Sequence, residues 1–328
     1  MVIAFAGIAA VLYGSLQLHF RDPVRLYLSK VLLGFVSYVI GHLIAVLLRR
    51  LRDIRQALSE RKQKSWQETF RDYLRAYLSP GKLVHDLRLI HAISAMFVVY
   101  INLKHLIPYI NDRLYDEPLM RFERLLLNGR SPGELLIELI GPSWAPLLSE
   151  GYTAFYPYVA FITVVMVLAA SQSYAQRFCF AFCLLWFLAI IVEYALPTLG
   201  PCFYYPELFS HLPPTRVAEL QQELWAQKLY LDAHPQSDKG VWLISGLPSL
   251  HIAAVVLGSI YLRKVSKVAE CCSWLFLAVT CVTTVYFGWH YVADLPTAAF
   301  LAWLVHYLSG YRLLQPAGVA EVHRADRQ

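Results

Sequence analysis

Apolar runs close to the length that crosses a bilayer recur along this chain of 328 residues, and they leave it few folds. Backbone N–H and C=O groups in hydrocarbon must find partners inside the protein, so such runs are helices or the strands of a closed barrel. The runs are continuous rather than alternating, which selects helices. They lie at about 2–18, 31–48, 89–110, 152–170, 178–197, 249–264, 272–289 and 295–313. The expected fold is therefore all-α, a polytopic membrane bundle of about eight transmembrane helices. With 57% hydrophobic residues and a mean hydropathy of +0.45, the composition agrees. The first run has no basic stretch before it and no small-residue cleavage site after it, so it reads as a retained span.

Basic residues orient the bundle. Between the second and third runs, residues 49–88 carry eleven Lys and Arg, which places that segment and both termini in the cytoplasm. Eighteen of the 29 basic residues then fall inside. Because these cations flank apolar runs, the net charge of +6 is explained by membrane topology, and nucleic acid is excluded as a partner. Within 49–77, Leu51, Ile54, Leu58, Trp66, Phe70, Tyr73, Leu74 and Tyr77 are spaced for a loosely amphipathic helix on anionic headgroups. A solvated charged loop fits the same residues. The six cysteines sit in or beside apolar runs without metal-ligand spacing and read as small core residues.

Alternation of the spans makes 111–151 and 198–248 external. The first contains Pro118, Pro132, Pro142 and Pro146, which imply short interfacial helices, and Arg121, Arg124 and Arg130, which are candidates to reach a lipid phosphate or to be solvated. The second opens with Pro197-Thr198-Leu199-Gly200-Pro201-Cys202-Phe203-Tyr204-Tyr205-Pro206. That stretch has two readings, an aromatic belt at the interface or a wall facing substrate, with Gly200, Pro201 and Tyr205 as the candidate contacts.

Two places open an apolar run with ionisable residues: Gly246-Leu247-Pro248-Ser249-Leu250-His251 and His290-Tyr291-Val292-Ala293-Asp294. Pro248 suits the first position of a helix, and the free N–H groups of that first turn, with the Ser249 hydroxyl and the Leu250 backbone, make an anion site beside His251. His290 and Asp294 are four apart, so on a helix they share a face and the carboxylate can orient the imidazole. Topology puts both histidines at the external ends of their helices. A lone histidine at an interface is usually structural; here a capped helix start, an orienting carboxylate and a shared depth coincide. A metal held by His251, His290 and Asp294 is the rival, without a His-Glu-x-x-His pattern or a cysteine pair to support it. No cofactor is expected.

Pro248-Ser249-Leu250-His251, followed by His290-Tyr291-Val292-Ala293-Asp294, resembles the second and third signatures of the type-2 phosphatidic acid phosphatase superfamily. The leucine before the first histidine and the His-Tyr-x-x-Asp form are similar to its inositol phosphorylceramide synthase-like branch. The resemblance implies a six-helix catalytic core at 89–313, preceded by a two-span hairpin and basic segment (1–88) and followed by a tail (314–328). It implies His290 as nucleophile, Asp294 as its orienter and His251 as acid and base, with the stretch around Gly200-Pro201 where the first signature lies. The chain departs from the pattern in lacking that signature's lysine and Arg-Pro pair, and Thr283-Thr284 stands where a Ser-Arg pair precedes the nucleophile. The expected activity is a lipid phosphatase or a phospho-headgroup transferase working through phosphohistidine. A non-catalytic lipid-binding or transport protein is the alternative from another class. The expected partners are a membrane lipid and the bilayer. The expected place is a bacterial inner membrane, with the site on the periplasmic face; oligomeric state stays open.

Overall fold

The computed structural model describes residues 1–20, 23–60, 65–77, 79–237, 244 and 246–311. All regular structure among them is helical. In chain order come α1 (Val2–Ser15), α2 (Pro23–Glu60), α3 (Trp66–Tyr77), α4 (Pro80–His105) and α5 (Ile107–Ile110). Then follow the short helices α6 (Asp116–Leu126), α7 (Pro132–Ile140) and α8 (Ala145–Thr153), and the long pair α9 (Phe155–Ala169) and α10 (Gln172–Ala195). The last five are α11 (Pro201–Tyr204), α12 (Arg216–Ala233), α13 (Leu250–Leu262), α14 (Lys267–Tyr286) and α15 (Asp294–Leu308). The expected tail at 314–328 and the side chains of Ile54 and Leu58 lie outside the described residues.

Five stretches are long and apolar enough to cross a membrane: Tyr27–Leu51, Pro80–His105, Pro142–Ala169, Gln172–Ala195 and Lys267–Tyr286. They mark an integral membrane protein, and the exposed leucines, isoleucines and valines along α2 and α14 give it an apolar exterior. The expected first, sixth and eighth spans are helices of 14, 13 and 15 residues. At 1.5 Å per residue each is about 20 Å long, short of the roughly 30 Å hydrocarbon core.

Several helices begin well before the apolar run that announced them. Ser79, Ser171 and Ser266 accept the N–H three residues on and so start α4, α10 and α14. The first two turns of α4 are polar and hold together through a Lys82–Asp86 pair at 2.9 Å. Ser131 and Glu134 form a reciprocal capping box at the start of α7, directly before Pro132. The segment 111–151 is a succession of short helices, in keeping with its prolines.

At the centre of the bundle stands α13, buried on almost every side. Its Ala253, Ala254, Gly258 and Ser259 let neighbours approach closely: a β-carbon on Gly258 would sit 2.4 Å from the Tyr158 hydroxyl. Around it pack α9, α10, α14 and α15, with α4 behind α10. α1 and α2 both lean on α4, where Tyr13 Oη donates to the Asn102 carbonyl at 3.0 Å. α3 covers the far part of α2, and its buried Tyr73 hydroxyl lies 2.6 Å from His42 Nδ1.

Candidate active site

Three irregular stretches meet at one end of the bundle. Thr198 receives the returning chain: its Oγ1 accepts from Leu247 N at 2.8 Å and from Gly246 N at 3.1 Å. A side chain at Gly246 would run into that hydroxyl at 2.6 Å. Two residues on, Gly200 has φ +94 and its α-carbon lies against the Trp289 carbonyl, so that a β-carbon would approach it to 2.5 Å. Cys202 N donates to the Gly288 carbonyl at 2.7 Å. The Gly200-Pro201 stretch thereby backs the loop that carries His290.

That loop leaves α14 at Phe287 and reaches α15 at Asp294. His290 and Asp294 do not share a helix, as their spacing suggested; His290 lies in a turn and Asp294 is the first residue of α15. The contact forms all the same. Asp294 Oδ2 lies 3.1 Å from His290 Nδ1 and accepts from Tyr291 N at 3.0 Å. A carboxylate there favours the tautomer protonated at Nδ1, which leaves the Nε2 lone pair for chemistry. Burial holds His290 well below the usual histidine range, at about 3, opposed by a hydrogen bond with the Gly246 backbone and helped by the charge of Lys104. Burial thus favours the neutral form of His290.

His251 is the second residue of α13. Its ring centroid is 6.0 Å from that of His290, and Phe155 at 4.2 Å and Tyr152 at 5.0 Å pack around it. Pro248 stands outside the helix rather than at its first position. Ser249 is the N-cap, and its Oγ accepts from Ile252 N at 3.4 Å, so the hydroxyl is committed to its own helix.

Two buried carboxylates on α6 hold the arrangement from behind, and sequence reasoning passed over both. Asp116 accepts from Leu199 N, Gly200 N and Tyr291 Oη, each at 2.9 Å. Glu123 Oε1 accepts from Val292 N and from Ala293 N. Burial raises both groups above the ordinary carboxylate range, Glu123 to about 7, although the backbone donors pull the other way. The signal was available: Asp116, Met120 and Glu123 recur at i, i+4 and i+7 and are the buried residues of α6, and acids on such a stripe need partners.

The histidines face a cavity of about 300 Å³. Its walls are mostly apolar and come from α2, α4 and α9, and it reaches Leu250, His251, Trp289 and His290 at one end. Along α4 the lining runs from Ile90 to Lys104, about 21 Å at 1.5 Å per residue. Gly200, Pro201 and Tyr205 do not line it. Tyr205 instead lies under the Arg124 guanidinium at 5.7 Å. Arg121 pairs with Glu117 at 2.7 Å and Arg130 with Glu138, both in the open. Thr283 and Thr284 bond back to carbonyls of α14. Among the described residues no group of three or more His, Cys, Asp and Glu is placed to hold a metal ion.

The long apolar helices are those of a membrane protein, and one of the phosphatase type in outline. The match that accounts for it covers residues 120–308, more than half of the sequence, and by it the chain belongs to the PAP2 superfamily, whose members are generally phosphatases and phosphotransferases. No curated protein and no solved structure matches the chain.

Proposed function

We propose that this protein transfers a phosphoryl or phospho-headgroup of a membrane lipid through a phosphohistidine on His290. The observation that carries the proposal is the pairing of His251 and His290 at 6.0 Å in the wall of the apolar cavity, with Asp294 on the far nitrogen of His290. Neutral His290 attacks phosphorus through Nε2. The bond to the leaving oxygen breaks, its electron pair stays on that oxygen, and His251 supplies the proton that it takes up from solvent as the anionic phosphate binds beside it. Asp294 stabilises the cationic ring that results. In the second half His251 takes a proton from the acceptor, water or a lipid hydroxyl, whose oxygen attacks phosphorus and releases His290. The Leu250 and His251 N–H groups, which the first turn of a helix cannot satisfy, face the developing charge. Gly200 and Pro201 serve by shaping the His290 loop, and Tyr205 by bordering it.

The Leu250-His251 and His290-Tyr291-x-x-Asp294 forms support a member similar to the inositol phosphorylceramide synthases, in which a lipid hydroxyl accepts the group. Eight crossings, three of them short, with 49–88 inside would put the site on the external face, periplasmic in a bacterial inner membrane. The test is capture of the intermediate. Full-length protein mixed with ³²P-labelled phosphatidic acid and with ³²P-labelled phosphatidylinositol, then quenched in alkali, is expected to keep acid-labile label that His290→Ala loses. His251→Ala is expected to be inactive as well. Equal label in His290→Ala would remove the mechanism, and no label with either lipid would leave a lipid-binding protein.

A further inference from the structure

The mechanism above leaves unused a charged pair on the wall of the same cavity. Lys104, in the last turn of α4, and Glu193, near the end of α10, have side chains only 10% and 2% exposed. Each lies within a stretch long and apolar enough to cross a membrane, where a buried charge is costly and marks a task for it. Tyr100 Oη donates to Glu193 Oε1 at 2.8 Å, and Lys104 Nζ stops 4.0 Å from the same oxygen. That is too far for a hydrogen bond. An ammonium has three donors, and Nζ makes no hydrogen bond among the described residues. It passes 5.6 Å from the Tyr100 ring centroid and faces the space that His251 and His290 also face.

This chain lacks the cations that its family resemblance would supply, the arginines of 111–151 do not reach the cavity, and Lys30, the other lysine on its wall, is only half-buried and stands on α2. The match to the family begins at residue 120, so Lys104 comes from outside it. We infer that Lys104 is the cation that holds the substrate's phosphate, delivered from α4 to the two histidines, and that the cavity takes a lipid bearing a phosphomonoester or phosphodiester. Glu193, fixed by Tyr100, keeps the ammonium near neutral balance while the site is empty and leaves its donors to the ligand. The inference rests on the site being one for phosphorylated lipid.

Binding without turnover tests it. In full-length protein carrying His290→Ala, dihexanoyl phosphatidic acid is titrated calorimetrically, with dihexanoylglycerol as the neutral control. Lys104→Met is expected to weaken phosphatidic acid binding about 10- to 100-fold, the scale of a lost charge-assisted hydrogen bond, and to leave dihexanoylglycerol binding unchanged. Unaltered phosphatidic acid affinity in Lys104→Met would overturn the inference. If that variant loses both ligands, Lys104→Arg, which keeps the charge, is compared with Lys104→Gln, which does not. Tighter binding by Lys104→Arg supports the inference, and equal binding overturns it. Loss of anion binding in Lys104→Met, in a protein that never labels His290, would keep the cation site and discard phosphoryl transfer.

Discussion

In the proposed mechanism His290 attacks in one tautomer only, and Asp294, 3.1 Å from Nδ1, is placed to select it. Asp294→Asn is expected to lower kcat by roughly 10² or more with little change in KM, a smaller loss than that of His290→Ala, because an orienting group matters less than the atom that attacks. A kcat within twofold of the parent in Asp294→Asn would contradict this. Glu123 gives a second expectation at the same scale. Its carboxyl is raised from the ordinary range to about 7, chiefly by burial. A carboxyl raised in the folded state contributes stability that is complete below its unfolded pKa and is lost as pH rises through about 7. The free energy of unfolding should therefore fall between pH 5 and 8, by on the order of 1–3 kcal/mol, and Glu123→Gln should flatten that fall. A decline just as steep in Glu123→Gln would assign it to other groups. Of these residues the histidines were legible because they open apolar runs, where ionisable side chains stand out. Glu123 was not, since it sits in a segment whose arginines drew attention, and Lys104 was absorbed into the end of an apolar run.

Helix centres were legible and helix ends were not. Hydropathy marks where side chains meet lipid, whereas α4, α10 and α14 begin at serines whose hydroxyls take up the free N–H groups of the first turn, well before the apolar run. The i,i+4 pair of His290 and Asp294 suggested a helix, yet a turn and the first residue of α15 supply the same contact. Loops hold this site because glycines let their backbones touch. At Gly200, φ +94 disfavours a side chain by about 1–3 kcal/mol, and a β-carbon would press on the Trp289 carbonyl next to His290. Gly200→Ala is thus expected to cut turnover at least tenfold while the protein still extracts as a folded species. Parental turnover in Gly200→Ala would show that the His290 loop tolerates displacement. Little of this was visible beforehand, because the contact joins residues almost ninety apart.

At the scale of the whole molecule, the site lies at one end of the bundle and residues 49–88 are read at the other. Single cysteines at Gln236 and Lys267, in a protein with Cys271 and Cys272 replaced by serine, should respond differently to an impermeant maleimide on intact cells. Labelling is expected at Gln236 alone. That expectation follows because the eleven cations of 49–88 are costly to carry across a bilayer, and the reverse pattern would overturn it and move the site to the cytoplasmic face. The cavity has a consequence of another kind. One end of it is lined by His251 and His290, and another part of its wall is built by α2, a helix outside the residues that match the family. A pocket anchored at one end and walled in part by α2 limits what enters it, so α2 would act as a ruler for acyl chains. A bulky side chain on that wall, as in Ser37→Phe, should leave short-chain substrates unaffected and raise KM for long ones, shifting the preferred chain length downward. An unchanged length profile would mean that the tail lies in the bilayer, and that α2 measures nothing.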